Sequence, residues 1–244
     1  TVEPSGCTST GGPHMVGKVT PDHILSASRL PAVMGLSRFK TANDELEASI
    51  HSLQGYGRPE LPDMEPAYWG NLLEPVVLKE ACFRTGIDNL ELNHPHPYFH
   101  LTWPLCCSLD GDCEGRGKVI EHNPDQGIFV DDGQSILLDG PGVLEAKVTS
   151  VRPEATLDLA RGPVQLQGQL AITCYNWGMV AVLYGGNRLR CFFFRRHEPT
   201  IDLIKAAAYD FDRRVKLWQE TGELDLYPPA EVPEPKPRGR KKKV

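Results

Sequence analysis

The segment GVLEAKVT at residues 142–149 constrains the fold more than any other. It is compact and apolar enough for a strand, yet it carries Glu145 and Lys147. Residues two apart on a strand share a face, so Glu145 and Lys147 project together, while Leu144, Ala146 and Val148 point the other way. A charged pair among hydrophobic neighbours is unfavourable unless it binds something. A sheet that contains this strand must therefore place a polar site on one face.

A second segment, SLDG at residues 108–111, closes an extended run over 98–111. If it pairs with the first, Asp110 joins Glu145. Two neighbouring carboxylates raise each other's pKa unless a divalent cation lies between them. Hard oxygen donors with room for water suit Mg²⁺. A metal there polarises a phosphoryl oxygen and helps to generate hydroxide. Lys147 would orient or deprotonate the water, or stabilise the charge that develops. The chemistry is phosphodiester hydrolysis.

Around these two segments the apolar spacing predicts helices over 21–35 (kinked or restarted at Pro31), 41–53 (capped by Thr41, with Asp44 three residues on) and 67–85. Residues 55–66 read as a Gly/Pro-rich loop. Short β-like pieces follow at 127–130 and 135–138. A helix is expected over 163–174. A hairpin over 179–184 and 189–194 turns at Gly185-Gly186-Asn187, and a long amphipathic helix covers 199–220. The fold class is α/β, a mixed central β-sheet flanked by helices. The expected organisation is a disordered arm (1–17), one nuclease domain (18–226) and a Pro-rich, basic tail (227–244).

Composition narrows the function. The 244 residues are 40% hydrophobic, enough for a packed core, and no apolar run approaches a membrane span. The first residues are polar and do not read as a signal peptide, which suggests a cytoplasmic protein. A net charge of −6 argues against a protein that coats nucleic acid, but not against an enzyme gripping DNA in one cleft. The seven cysteines, without a secretion signal, read as free thiols. A zinc site from His94, His96 and His100 with Cys106, Cys107 and Cys113 is disfavoured, because adjacent cysteines fit zinc spacing poorly.

Four segments in a fixed order resemble the phage-type alkaline exonucleases, the lambda exonuclease and YqaJ recombinase group of the PD-(D/E)xK nuclease superfamily. They are ILSASRLPAVMGLS (24–37), YWGNLLEPVVLKEA (68–81), SLDG with LEAK, and QLQGQLAIT (165–173). Together they span most of the chain. The resemblance implies a restriction-endonuclease-like core. It implies that Asp110 and Glu145 bind two Mg²⁺ ions (Mn²⁺ being an alternative), helped by Glu74 and the backbone carbonyl of Ala146. Lys147 is then the catalytic lysine, and Gln167, or else Gln165, orders the site. It places Ser28 in a 5′-phosphate pocket, with Ser37 and Gln165 also expected near DNA. The family's pocket arginine is not matched: Pro21 stands near its place, and Arg29 or Arg38 is the expected substitute. The longer stretch between Asp110 and Glu145 suggests an inserted hairpin.

Taken without the resemblance, Glu74 reads as a solvent-facing helix residue. Gln165, Gln167 and Gln169 read equally as helix surface, and Ser28 and Arg29 as a surface turn. With it, the expectation is a 5′-to-3′ exonuclease on double-stranded DNA ends. It would release 5′-mononucleotides and leave 3′ overhangs, as a homotrimeric ring in a bacterial host cell with a phage single-strand annealing protein as partner. The alternatives are a structure-selective endonuclease of the same superfamily and a non-catalytic DNA-binding protein.

Overall fold

The computed structural model describes residues 20–56, 65–92, 94, 96–153 and 155–228. The expected arm (1–17) lies outside them, as does the expected tail beyond Pro228. The chain opens with β1 (Leu25–Ser26), a 3-10 turn (Ala27–Arg29) and α1 (Leu30–Val33), then α2 (Ala42–Leu53) and α3 (Glu65–Thr85). Short strands follow: β2 (Glu91–Leu92), β3 (Tyr98–Phe99), β4 (Leu105–Cys107), β5 (Gly111–Glu114), β6 (Lys118–Glu121), β7 (Ile128–Val130) and β8 (Ser135–Leu138). Then come the long β9 (Pro141–Thr149), α4 (Pro163–Thr173), β10 (Trp177–Tyr184), β11 (Arg188–Arg195) and α5 (Glu198–Thr221).

Among the described residues the main sheet runs β2-β5-β9-β10-β11-β7. It is mixed: β9 and β10 are parallel, as are β11 and β7, while β10–β11, β5–β9 and β2–β5 are antiparallel. Side chains alternate across it. Val143, Val180, Val182 and Phe192 pack toward α1, α2, α4 and α5. Leu144, Ala146, Met179, Ala181 and Phe193 pack toward α3 and the β6–β8 ribbon. Glu145 and Lys147 share the phase of Val143 and so face the α4 side.

Three expectations change. The helix over 21–35 is instead β1, a 3-10 turn and a single turn of helix. Leu25 and Ser26 pair in parallel with Leu105 and Cys106, and Pro31 then starts α1 at its first turn. The extended run over 98–111 is a hairpin in which Tyr98 opposes Cys107 and Phe99 opposes Cys106. The insertion between Asp110 and Glu145 is more than a hairpin: β6 pairs with β8, and β7, between them in sequence, joins the far edge of the main sheet beside β11. Elsewhere the expected elements stand close to their predicted bounds. The Thr41 cap is a capping box: its hydroxyl accepts from the Asp44 N–H, and Asp44 accepts from the Thr41 N–H.

Candidate active site

The site forms where a strand ladder stops. Strand β5 pairs with β9 only as far as Gly111 opposite Leu144. The next residue outward, Asp110, takes the place of a ladder partner: its Oδ2 accepts the Ala146 N–H at 2.8 Å. The N–H and C=O of one strand residue point to the same edge, so the Ala146 carbonyl faces that side too. Gly111 lets β5 lie close against β2 and α3. A Cβ there would lie 2.9 Å from the Glu91 carbonyl oxygen and 3.2 Å from Leu78.

A cavity of about 330 Å³ opens at this edge. Glu74, Asp110, Glu145, Ala146, Lys147 and Gln165 all line it, so the structure brings these predicted residues together. Glu74 arrives from α3, along with Gly70 and Asn71. Pro75 follows it inside the helix and has no N–H, which leaves the Asn71 carbonyl without its helical donor.

Glu145 is buried, whereas a third of the Lys147 side chain is exposed. Lys147 Nζ donates to Glu145 Oε1 and, at 3.0 Å, to Gln165 Oε1. Gln165 Nε2 donates to the same Glu145 oxygen at 2.7 Å, and Gln169 Nε2 to Oε2 at 2.7 Å. Burial, reinforced by the negative charges of Glu145 and Glu74, holds the Asp110 carboxyl well above the usual range; Lys147 and the Ala146 N–H oppose this. Glu74 is raised for the same leading reasons, burial and then Glu145, with Lys147 opposing. Burial works against the Lys147 ammonium, but Glu145, Asp110 and Glu74 outweigh it and hold its pKa above the ordinary lysine value.

Several predicted residues lie elsewhere. Gln167 is turned away from the cavity: it donates to the Arg195 carbonyl at 2.8 Å and accepts from the His197 N–H at 2.9 Å, tying α4 to the entry of α5. On a helix, residues two apart fall on nearly opposite sides, while i and i+4 share one. Gln165 and Gln169 therefore reach Glu145, and Gln167 cannot. Arg29 does not substitute for the family's pocket arginine. Its guanidinium is 4% exposed, pairs with Glu45 at 2.6 Å and also donates to the Asp22 and Glu45 carbonyls and to Ser49. Arg38 is exposed, 3.8 Å from Asp158, and Ser37 accepts the Phe39 and Lys40 N–H groups of its own turn. Neither lines the cavity.

Ser28 does line it, and with it three residues that sequence reasoning missed, Thr20, Ser26 and Ser108. The Ser26 and Ser28 hydroxyls are 3.1 Å apart. The cavity is thus lined by carboxylates, a lysine and hydroxyls together. Ser108 was legible, since it stands two residues before Asp110 and so in the same strand phase. Thr20 and Ser26 carried no signal.

The donor set fits a hard divalent cation: three carboxylates and a backbone carbonyl, all oxygen, with Asp110 and Glu74 raised in pKa by burial and by the negative charge of Glu145. Among the described residues no three His, Cys, Asp or Glu side chains already close around one point. Glu145 is engaged by Lys147 and the two glutamines, and Asp110 by Ala146. Away from this cavity, His94 lies against Asp112 and Tyr98, and His100 stacks on Trp103. Cys106, Cys107 and Cys113 are buried as free thiols.

The profile of the YqaJ-like viral recombinase domain family matches residues 20–176, from the start of the cavity wall to the end of α4 and beyond. The chain belongs to this family. Among curated proteins none matches by sequence. The YqaJ-like chain is similar in structure to an alkaline exonuclease, LHK-Exo, from Laribacter hongkongensis. The TM-score is 0.57 and the identity 16%, covering 82% of this chain and 91% of that one. The same enzyme in complex with dAMP gives 0.55 at 16% identity, over 82% and 94%. A phage related exonuclease from Haemophilus somnus 129PT gives 0.52 at 14% identity, over 81% and 96%. The family and the fold are those of phage-type exodeoxyribonucleases. No helix among the described residues is long and apolar enough to cross a membrane.

Proposed function

We propose that this YqaJ-like chain is a metal-dependent exonuclease that enters double-stranded DNA at an end and digests one strand in the 5′-to-3′ direction. It releases 5′-mononucleotides and leaves a 3′ overhang for recombination. The observation that carries the reading is the meeting of Glu74, Asp110, Glu145 and Lys147 in one cavity that Thr20, Ser26, Ser28 and Ser108 also line. Asp110, Glu145, Glu74 and the Ala146 carbonyl would hold two Mg²⁺ ions, or Mn²⁺ in their place. A cation so bound supplies Lewis acidity to the phosphoryl oxygen and a more acidic water. Lys147, kept charged by its acidic neighbours and aimed by Gln165, positions that water and stabilises charge developing on the phosphate. Ser28, Ser26, Thr20 and Ser108 donate hydroxyl hydrogen bonds to the terminal 5′-phosphate. Such donors bind an anion at short range without a fixed charge.

The resemblance to the lambda exonuclease group supports a homotrimeric ring, a phage single-strand annealing protein as partner and work in the cytoplasm of a bacterial host. The two core layers share β9, β10 and β11, which supports one nuclease domain over 18–226. One observation favours a second reading, a structure-selective endonuclease: no arginine lines the cavity among the described residues. A single experiment separates the two. A 5′-phosphorylated linear duplex and a closed circle are incubated with Mg²⁺, and then with EDTA instead. Mononucleotides released from the linear duplex alone, label at the 5′ end first, are expected. Cutting of the circle would replace the exonuclease reading, and digestion in EDTA would remove the metal.

A further inference from the structure

Gln169 is the most enclosed polar side chain near the site, with no exposed surface. Its Nε2 donates to Glu145 Oε2 at 2.7 Å and to the Ser108 carbonyl at 3.3 Å. Both neighbours can only accept, so the amide orientation is fixed by chemistry: its NH₂ end must face them. Ser108 lies two residues before Asp110. One amide on α4 therefore joins the two segments that carry the carboxylates. Gln165, one helical turn earlier on the same face, holds the other Glu145 oxygen, which already accepts from Lys147. A carboxylate oxygen has two lone pairs. Oε1 thus has both engaged, and Oε2 keeps one.

We propose that Gln169 is a positioning residue that sets the separation of Glu145 and Asp110, and that it leaves Glu145 a single open lone pair, on Oε2, for a hard cation. Like-charged Glu145 and Asp110 repel, and a bound cation needs both at a fixed spacing. Gln169 provides that spacing from the protein side. It restrains Glu145 directly and Asp110 through the backbone at Ser108. The inference rests on the metal-dependent reading above. Supporting partners of metal-binding side chains typically alter metal affinity ten- to a hundredfold.

The test uses the full chain without DNA. Thermal denaturation is followed as Mg²⁺ is raised, for wild type, Gln169→Leu, Gln169→Glu and Gln167→Leu. Gln167 serves as the control because it holds backbone on the other side of α4. Gln169→Leu and Gln169→Glu are expected to raise the Mg²⁺ concentration for half-maximal stabilisation roughly ten- to a hundredfold. Gln167→Leu is expected to lower the melting temperature while leaving that midpoint in place. A Gln169 midpoint within twofold of wild type, or an equal displacement in Gln167→Leu, overturns the proposal. A wild type indifferent to Mg²⁺ removes the metal reading instead. The proposal is then decided in EDTA by Gln169→Leu, Glu145→Gln and their double variant: non-additive melting temperatures uphold the contact, and additive ones sink it.

Discussion

At the scale of single residues, Glu145 and Lys147 were legible because strand phase is a rule of two and both stand inside an apolar strand. Asp110 was legible because a short antiparallel pairing brings it opposite Glu145. Glutamine roles were legible in principle: Gln165 and Gln169 stand four apart and Gln167 between them, so one helix face selects the outer two. Arg29 was not legible. Its sequence neighbours give no sign of Glu45 and Ser49, which come from α2 to enclose it. Two predictions belong here. Lys147→Ala should lower Mg²⁺-dependent digestion by about 10²–10⁴-fold while the far-UV circular dichroism stays native; a loss smaller than tenfold would take Lys147 out of the chemistry. Arg29→Met should take from the buried Glu45 its guanidinium partner at 2.6 Å, and so lower stability by about 3–5 kcal/mol in urea denaturation. The preference for a 5′-phosphorylated over a 5′-hydroxyl end should survive in whatever remains folded. Ser28→Ala should do the reverse, and equal preferences in wild type and Ser28→Ala would take the Ser28 hydroxyl out of phosphate binding.

At the scale of elements, helices with long apolar periods were read closely, α3, α4 and α5 among them. The errors fall on short segments. The stretch from Leu25 to Val33 has helical spacing, but its first residues are claimed by β4, a contact from far along the chain. Residues 98–111 look extended because Pro104 is the single turn former in 100–104 and the residue before a proline favours extended backbone; His100 supplies the turn by accepting the N–H groups of Thr102 and Trp103. Strand β6 was missed because Lys118 and Glu121 dilute its two apolar residues. The approach of α4 to the 3-10 turn depends on Gly168. A Cβ there would lie 2.5 Å from Leu30 Cδ1 and 3.3 Å from the Ala27 Cβ, both in the core. Gly168→Ala is therefore expected to destabilise by about 1–3 kcal/mol, as over-packed cores do. Adding Leu30→Ala should recover part of that loss. A Gly168→Ala variant as stable as wild type in urea would mean that the helix shifts freely at this contact.

For the whole molecule, the carboxylate cluster links stability to pH and metal. Asp110 and Glu74 have raised pKa values when folded, so between the ordinary carboxylate range and those raised values the folded state binds more protons than the unfolded one. Stability then falls as pH rises through that window. Lys147 acts only further up, because its raised pKa sustains stability until pH passes the ordinary lysine range. In EDTA the melting temperature should thus decline as pH rises above the ordinary carboxylate range, less steeply in Asp110→Asn, and Mg²⁺ should stabilise wild type more at the alkaline end of that decline. An Asp110→Asn variant with the wild-type slope would assign the linkage elsewhere. The mixed sheet and its flanking helices were visible in the order of elements, whereas the path between the two acids was not. That path leaves β5, forms the β6–β8 ribbon, adds β7 to the far edge of the sheet and returns, and it is closed where the Gly115 N–H meets the Gly140 carbonyl at 2.8 Å, beside the pairing of Glu114 with Pro141. Both acids lie outside this clasp. Residues can be gained or lost inside it without changing the distance between Asp110 and Glu145, so lineages that keep the chemistry are free to drift in the number of residues between the two acids, and a search that fixes that number will overlook true kin.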